Sequence, residues 1–152
     1  MTPVRVIITV ISVFIILVLG GIVLFPEMVY ETQTVEIYDC DTGVVTQTET
    51  ALIADTPLKQ RFGLSPFPQE QAMLFEYDEV SERGIIMRGM SYDLTIVYLD
   101  ESFQVHSVHT GESSNIPVIR WYSYSGVSDY GQYIVEFPAT TTVSENECIR
   151  RI

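Results

Sequence analysis

Hydrophobic and polar positions follow two different patterns along this chain. Residues 6–25 (VIITVISVFIILVLGGIVLF) form an uncharged run in which 16 of 20 residues are Val, Ile, Leu or Phe. A helix of that length spans about 30 Å, the thickness of a bilayer's hydrocarbon core, so the run predicts one transmembrane helix. After residue 34 the chain changes to short β-branched and aromatic stretches separated by polar turns, which is typical of β-strands.

These patterns divide the chain into an N-terminal signal anchor (1–26), a short acidic linker (27–33) and a β-rich ectodomain (34–152). Arg5 precedes the apolar run and Glu27 follows it. Because positive charge stays on the cytoplasmic side, we expect a cytoplasmic N-terminus and an extracytoplasmic C-terminal domain at the cell membrane. A cleaved signal peptide is the alternative, but the run is longer than its usual apolar region and lacks a small-residue cleavage site.

The ectodomain pattern predicts a mainly β fold. Strands are expected at 34–38, 44–54, 72–77, 84–90, 94–99, 103–108 and 132–137, with an edge strand after residue 139. Thr56 and Pro57 mark the start of a short helix that ends at Gly63, and residues 69–71 could add one helical turn. The prediction is therefore an antiparallel sandwich or a partly closed barrel with one or two short helices, preceded by one N-terminal transmembrane helix.

The net charge of the chain limits the kinds of molecule that it is expected to bind. The chain has 20 Asp and Glu against 8 Lys and Arg, a net charge of −12, and Lys59 is its only lysine. Such a balance opposes binding to nucleic acid and to anionic lipid surfaces. The acidic residues are spread over the whole ectodomain, which favours a surface adapted to high salt, as in haloarchaea, over a local site for cations.

Cys40 and Cys148 lie near the two ends of the ectodomain. Disulfides persist outside the cell, so the two residues are a candidate disulfide that would close a loop of about 100 residues. Two separate thiols remain the alternative, because the sequence does not give their distance. Neither cysteine has a second ligand at close spacing, and no metal or other cofactor is expected.

Five stretches in the ectodomain occur in the same order as the motifs of a known protein family. They are ADTPLKQRFGLS, AMLFEY, IMRGM, IVYLDESFQV and GQYIVEFPA. Together they resemble domain of unknown function 192, a small β-rich and often exported domain of bacteria and archaea, over residues 34–139. The matching positions are Gly63–Leu64, Met73–Phe75, Met87–Arg88, Leu94 and Val135–Pro138. The resemblance implies fold and location, in a divergent and membrane-anchored member, and does not imply an activity.

The central segment departs from the family pattern. Ile86 stands where tryptophan is usual, Gly89 and Met90 replace Asn and Thr, and Thr95 replaces an aspartate. If the polar residues of that segment form a site in the family, this chain has lost much of it.

Two charges lie inside otherwise apolar runs, Arg88 in IIMRGM and Glu136 in YIVEFP. Strand alternation could place either on the solvated face of the sheet. The alternative is a pair that lines a cleft, since an unpaired buried charge is costly. Beside Tyr92 and Tyr98 such a pair would hold a small polar or anionic ligand through the guanidinium group, so these four residues are the candidate ligand-binding site.

Aromatic residues supply a second candidate. Trp121, Tyr122 and Tyr124 could form a protein interface or pack within the β core. A strand would place the two histidines, His106 and His109, on opposite faces, whereas a turn after Val108 could bring them together. No third metal ligand is evident beside them.

No catalytic residues are expected, because the chain has no nucleophile motif and no phosphate loop. We therefore expect a single-pass membrane protein whose outer β domain binds a ligand or an envelope protein without catalysis. An accessory subunit of a cell-envelope complex and a hydrolase-like enzyme are the two alternatives.

Overall fold

Seven β-strands and one short α-helix form the part of the chain that the computed structural model describes, residues 29–67, 69–113 and 126–152. The described residues from Glu31 onward belong to one compact unit. The elements are β1 (Thr32–Asp39), β2 (Val45–Ala54), α1 (Pro57–Phe62), β3 (Ala72–Ile86), β4 (Leu94–Leu99), β5 (Val105–Gly111), β6 (Gly126–Pro138) and β7 (Glu147–Arg151). The expected mainly β fold with a short helix is confirmed.

All seven strands belong to one sheet in the order β5-β4-β6-β3-β2-β1-β7. The expected sandwich is therefore wrong. The sheet is also mixed, because β2 pairs with β3 in parallel while the other neighbours are antiparallel. Parallel neighbours need a crossover connection, and α1 lies in that connection.

The two edges of the sheet approach each other without closing it into a barrel. A single bridge joins Gln104, next to β5, to Cys148 of β7. Beside it, the backbone N–H of Ile149 donates to the carbonyl of Phe103 at 3.4 Å. No ladder continues from this point within the described residues, so the edge strands touch at one end only.

Residues at its two ends determine where helix α1 begins and ends. The Thr56 hydroxyl accepts a hydrogen bond from the Lys59 backbone at 3.4 Å, and Pro57 occupies the first helical position. Gly63 ends the helix with φ +51°, in the region that favours glycine. The predicted bounds of this helix are confirmed. The second helical turn predicted at 69–71 does not form, since these residues have no helical hydrogen bonds and lead directly into β3.

β3 is longer than its sequence pattern indicates. The acidic stretch 78–82 was expected to be a connection, yet it lies within the strand. The pairing of β3 with β6 shifts between Glu76, which faces Tyr133, and Ser81, which faces Gly131. This bulge accommodates the extra charged residues, and pairing with β6 then resumes as far as Ile86.

The sheet buries side chains on both faces. One face carries the main hydrophobic core, whose buried members are Val35, Ile37, Ala51, Ile53, Ala72, Leu74, Val97, Leu99, Val135, Phe137 and Ile149. Because successive strand residues alternate, the side chains between them face the other way, and Met73, Phe75, Ile96, Tyr98 and Ile134 are also buried. Glu136 belongs to this second face.

Cys40 and Cys148 form a disulfide in the structure, with an S–S distance of 2.03 Å and a Cα–Cα distance of 5.3 Å. Cys40 lies in the turn after β1, which Asp39 stabilises by accepting a hydrogen bond from the Thr42 backbone at 2.7 Å. Cys148 lies in β7, directly opposite Tyr38 of β1. The bond therefore fastens the last strand to the first hairpin.

The first and last strands of the domain are neighbours. β7 pairs with β1, and the backbone N–H of Ile152 donates to the carbonyl of Thr34 at 3.1 Å. Among the described residues, no helix has the length and apolarity needed to cross a membrane. The predicted transmembrane segment, 6–25, lies outside the described residues.

Candidate functional site

Strand alternation in β6 places a carboxyl group on the second face of the sheet. Val135 and Phe137 point into the main core, so Glu136 between them points the other way. Its neighbours across the sheet are Met73 of β3 and Ile96 of β4. Both of these neighbours are apolar, and only 4% of Glu136 is exposed.

Glu136 has no ion pair and no hydrogen bond to its carboxyl group within the described part of the chain. Burial raises the pKa of Glu136 to about 8. The cause is the loss of hydration, which disfavours the charged form of a carboxyl group. At neutral pH the group is mainly protonated and can both donate and accept a hydrogen bond.

Glu136 lies at the inner end of a cleft of about 390 Å³, which is within the usual range for small-molecule sites. Helix α1 and the turn after it form one wall, and the end of β3 with the following turn forms the other. The lining residues are Gln60, Arg61, Phe62, Gly63, Leu64, Ser65, Phe75, Ile85, Ile86, Arg88, Met90, Leu94 and Glu136. Most of this surface is apolar, and its charged groups are few.

Two arginines supply positive charge at the mouth of the cleft. Arg61 lies in the last turn of α1 and Arg88 lies in the turn after β3, and both side chains are exposed. Among the described residues neither guanidinium group forms an ion pair. Both donor groups can therefore bind an anion, in the forked geometry that suits carboxylate and phosphate.

The cleft brings together two of the four predicted site residues. Arg88 and Glu136 line it, but no ion pair joins them, because Arg88 is exposed at the rim and Glu136 is buried. Tyr92 lies in the turn before β4 and lines a separate, shallower cleft with Asp93 and Ser113. The predicted interface residues Trp121, Tyr122 and Tyr124 lie outside the described residues.

Tyr98, the fourth predicted residue, does not line the cleft. Its hydroxyl group donates to the carbonyl of Arg83 at 2.9 Å and lies 3.3 Å from the carbonyl of Val127, so it ties β4 to the paired ends of β3 and β6. Burial, together with the nearby Asp129 carboxylate, raises the pKa of Tyr98. These contacts give Tyr98 a structural role.

The Tyr98→Phe variant should therefore lose about 1 kcal/mol of stability, the net value of a typical buried hydrogen bond. Binding in the cleft should not change. Urea unfolding and ligand titration of the same preparation measure the two quantities. Weaker binding at unchanged stability would place the Tyr98 hydroxyl in the site after all.

The sequence pattern gave no reason to single out Arg61. It was apparent only as one residue of a short helix, and its position at the cleft depends on where the crossover places α1. The signal that could have found it is the family-like stretch ADTPLKQRFGLS, which contains both α1 and the turn after it.

His106 and His109 both contact Asp129. The His109 Nε2 atom lies 3.1 Å from one carboxylate oxygen and the His106 Nε2 atom 3.4 Å from the other. The expectation of opposite faces is wrong, because β5 has a bulge at His106 that shifts the alternation by one residue. Hydrogen bonds from Ser107, from the Tyr130 backbone and from His109 hold the pKa of Asp129 well below its usual range.

This cluster does not have the geometry of a catalytic triad. The Nε2 atom of His109 contacts both the Ser107 hydroxyl, at 3.2 Å, and Asp129. A triad requires the serine and the aspartate to contact different nitrogens of the imidazole ring. In the described residues, no group of three or more His, Cys, Asp or Glu side chains is arranged to hold a metal ion.

The fold and the cleft define a small, mainly β domain with a buried carboxyl group in a cleft that both apolar and polar side chains line. The model of the DUF192 family, described as "Uncharacterized ACR", matches residues 40–146. The chain therefore belongs to the DUF192 family, domain of unknown function 192. No curated protein matches the chain.

Two solved structures share the fold. The crystal structure of a "putative transcription regulator" from Sinorhizobium meliloti 1021 has a TM-score of 0.66 at 18% identity, covering 80% of this chain and 95% of that one. A protein of unknown function from Novosphingobium aromaticivorans DSM 12444 has a TM-score of 0.58 at 14% identity, covering 77% of this chain and 83% of that one. At these identities the likeness concerns the fold alone.

Proposed function

We propose that this chain is a non-catalytic binding protein whose β domain holds a small ligand with an anionic group in the cleft between Arg88 and Glu136. The predicted segment 6–25 would anchor the domain at the outer side of the cell membrane. The observation that carries the proposal is Glu136, a buried carboxyl group that has no partner among the described residues and faces a cleft of ligand size.

The energetic cost of burying its carboxyl group supports a functional role for Glu136. A buried polar group without a hydrogen bond destabilises the folded protein, and buried polar groups in folded proteins are almost always paired. Residues whose pKa is strongly displaced inside a cleft cluster at functional sites. The guanidinium groups of Arg61 and Arg88 at the mouth form no ion pair with other described residues, and they add the charge that an anionic ligand needs.

The Arg88→Ala variant should bind an anionic probe 10-fold to 100-fold more weakly, since a hydrogen bond to a charged group contributes roughly 1.5–3 kcal/mol. Suitable probes are inorganic phosphate, acetate, butyrate and hexanoate. Calorimetric titration of the full chain in a neutral detergent, at the lowest salt that keeps it folded, measures the affinity. Low salt is needed because salt screens exposed charges.

Arg150→Ala is the matched control. It removes the same charge from a surface where Arg150 pairs with Glu36 at 2.7 Å, and Arg150 does not line the cleft. Probe affinity should fall in Arg88→Ala and stay unchanged in Arg150→Ala. Equal affinities for all three proteins, or no measurable probe binding by the unmodified chain, would contradict the proposal.

A hydrolase-like enzyme is the second candidate, because a carboxyl group with a pKa near neutrality can act as a general acid or base. The described lining of the cleft offers one hydroxyl group as nucleophile, that of Ser65. This hydroxyl donates to the carbonyl of Phe62 at 2.7 Å, and it forms no hydrogen bond to a base among the described residues. The binding function therefore has the stronger support. Turnover of simple esters that is lost in Glu136→Gln would favour the enzyme.

A further inference from the structure

We infer that the ligand of this cleft is a zwitterion, whose anionic group contacts Arg61 and Arg88 at the mouth and whose ammonium group contacts the carboxylate of Glu136. The inference rests on the proposed function and adds the chemical class of the ligand. It follows from the position, burial and pairing of the charged groups along the cleft.

The charged groups at the two ends of the cleft have opposite signs, and neither end forms an ion pair with another described residue. Arg61 and Arg88 are exposed at the mouth, whereas Glu136 is buried at the inner end. Within the described residues no cation reaches Glu136. A ligand can therefore supply the counter-ion of this carboxyl group when it is ionised.

A purely anionic ligand would form charged contacts only with the two arginines at the mouth of the cleft. Its charge would also be repelled by Glu136 whenever that group is ionised. An ammonium group reverses this interaction, because a charge-assisted hydrogen bond to a carboxylate is about twice as strong as a neutral one and is little screened in a buried site. Both ends of the cleft are satisfied only by a ligand that carries both charges.

Several large apolar side chains contribute to the lining of the cleft. Phe62, Phe75, Ile85 and Leu94 line it together with Met90. A ligand that spans the cleft should therefore have an apolar body between its two charged groups. Linear ω-amino carboxylic acids have this composition and vary in length by one methylene group at a time.

Binding of the ammonium group requires Glu136 to lose its proton to solvent. Burial raises the pKa of Glu136 to about 8, so about one molecule in ten has an ionised Glu136 at pH 7 and about one in a hundred at pH 6. The affinity for a zwitterion should consequently fall about tenfold for each pH unit below 8. The affinity for a simple carboxylate should fall instead as the pH rises above 8.

The experiment uses the full chain in a neutral detergent and a series from glycine to 8-aminooctanoate. Each member is compared by calorimetric titration, at pH 8, with the carboxylic acid that lacks the amine and with the amine that lacks the carboxylate. We expect at least one member to bind at least tenfold more tightly than both of the compounds with which it is compared. This advantage should disappear in Glu136→Gln, which keeps the shape of the side chain and cannot ionise.

The outcomes separate the inference from the proposed function. Carboxylic acids that bind through Arg88, with no gain from an added amine at any length, would overturn the zwitterion and leave the proposed function intact. Absence of Arg88-dependent binding by both the acids and the zwitterions would overturn both. An amine advantage that survives in Glu136→Gln would also overturn the inference, because the ammonium group would then contact something else.

Discussion

Replacing Glu136 with glutamine should stabilise the folded domain, by up to about 3 kcal/mol at pH 7. Burial raises the pKa of Glu136 from 4.5 to about 8, so folding at pH 7 requires this group to take up a proton that the unfolded chain has lost. Each pH unit between 4.5 and 7 adds roughly 1.4 kcal/mol to that cost. Glutamine is neutral in both states and avoids it.

The sign of the effect follows from proton binding. Between pH 4.5 and 8 the folded state binds more protons than the unfolded state, so the unmodified domain loses stability as the pH rises through this range. Below pH 4.5 both states are protonated, and above 8 both are ionised. The gain from Glu136→Gln should therefore be small near pH 4, grow up to pH 8 and then stay constant.

Urea unfolding of the full chain at pH 5, 6, 7 and 8 measures this gain. Glu101→Gln is the matched control, since Glu101 is exposed in the turn between β4 and β5 and its replacement removes the same charge. A gain that is equal in the two variants would reflect net charge alone. Destabilisation by Glu136→Gln at pH 8 would mean that the buried carboxylate has a partner in the folded protein. A gain in stability together with a loss of ligand binding is the usual signature of a functional residue.

Removing the disulfide should have an effect of similar size and opposite sign. Cys40 and Cys148 are 108 residues apart, and in the chain-entropy model a loop of this length contributes roughly 4–5 kcal/mol by restricting the unfolded chain. The double variant Cys40→Ser, Cys148→Ser should lose stability by about that amount. The free energy of unfolding of a folded domain is typically about 5–15 kcal/mol, so the loss is a large fraction of the total.

Unfolding of the unmodified chain and of the double variant, each with and without a thiol reductant, tests this expectation. The reductant should lower the stability of the unmodified chain to that of the double variant and leave the variant unchanged. Equal stability of the two proteins without reductant would mean that the cysteines are not bonded, or that the bond restricts the unfolded chain very little.

Local signals in the sequence predicted much of the fold. The helix bounds follow from Thr56, Pro57 and Gly63, and the bounds of β4 follow from an apolar run between two turns. The full length of β3 was harder to predict, because the acidic stretch 78–82 has the composition of a loop. Pairing with β6 overrides that composition, and such pairing between distant segments leaves no local signal. The parallel alignment of β2 and β3 was unpredictable for the same reason.

The site was predictable in part. A charge inside an apolar strand run is a visible anomaly, and it identified both Arg88 and Glu136. Periodicity could not show that the two residues stand at different depths of one cleft without forming an ion pair. It also could not place Arg61 beside them, or Tyr98 outside, because those positions depend on the crossover helix and on the end of the β3–β6 ladder.

The pairing of β7 with β1 has a consequence for how the domain can be handled. Because Thr34 and Ile152 are joined by a backbone hydrogen bond, the first and last strands along the described chain lie side by side. Domains with adjacent ends tolerate circular permutation and insertion into a host protein. The domain could therefore be spliced into a surface loop of a carrier protein as one cassette, with all seven strands of the sheet retained.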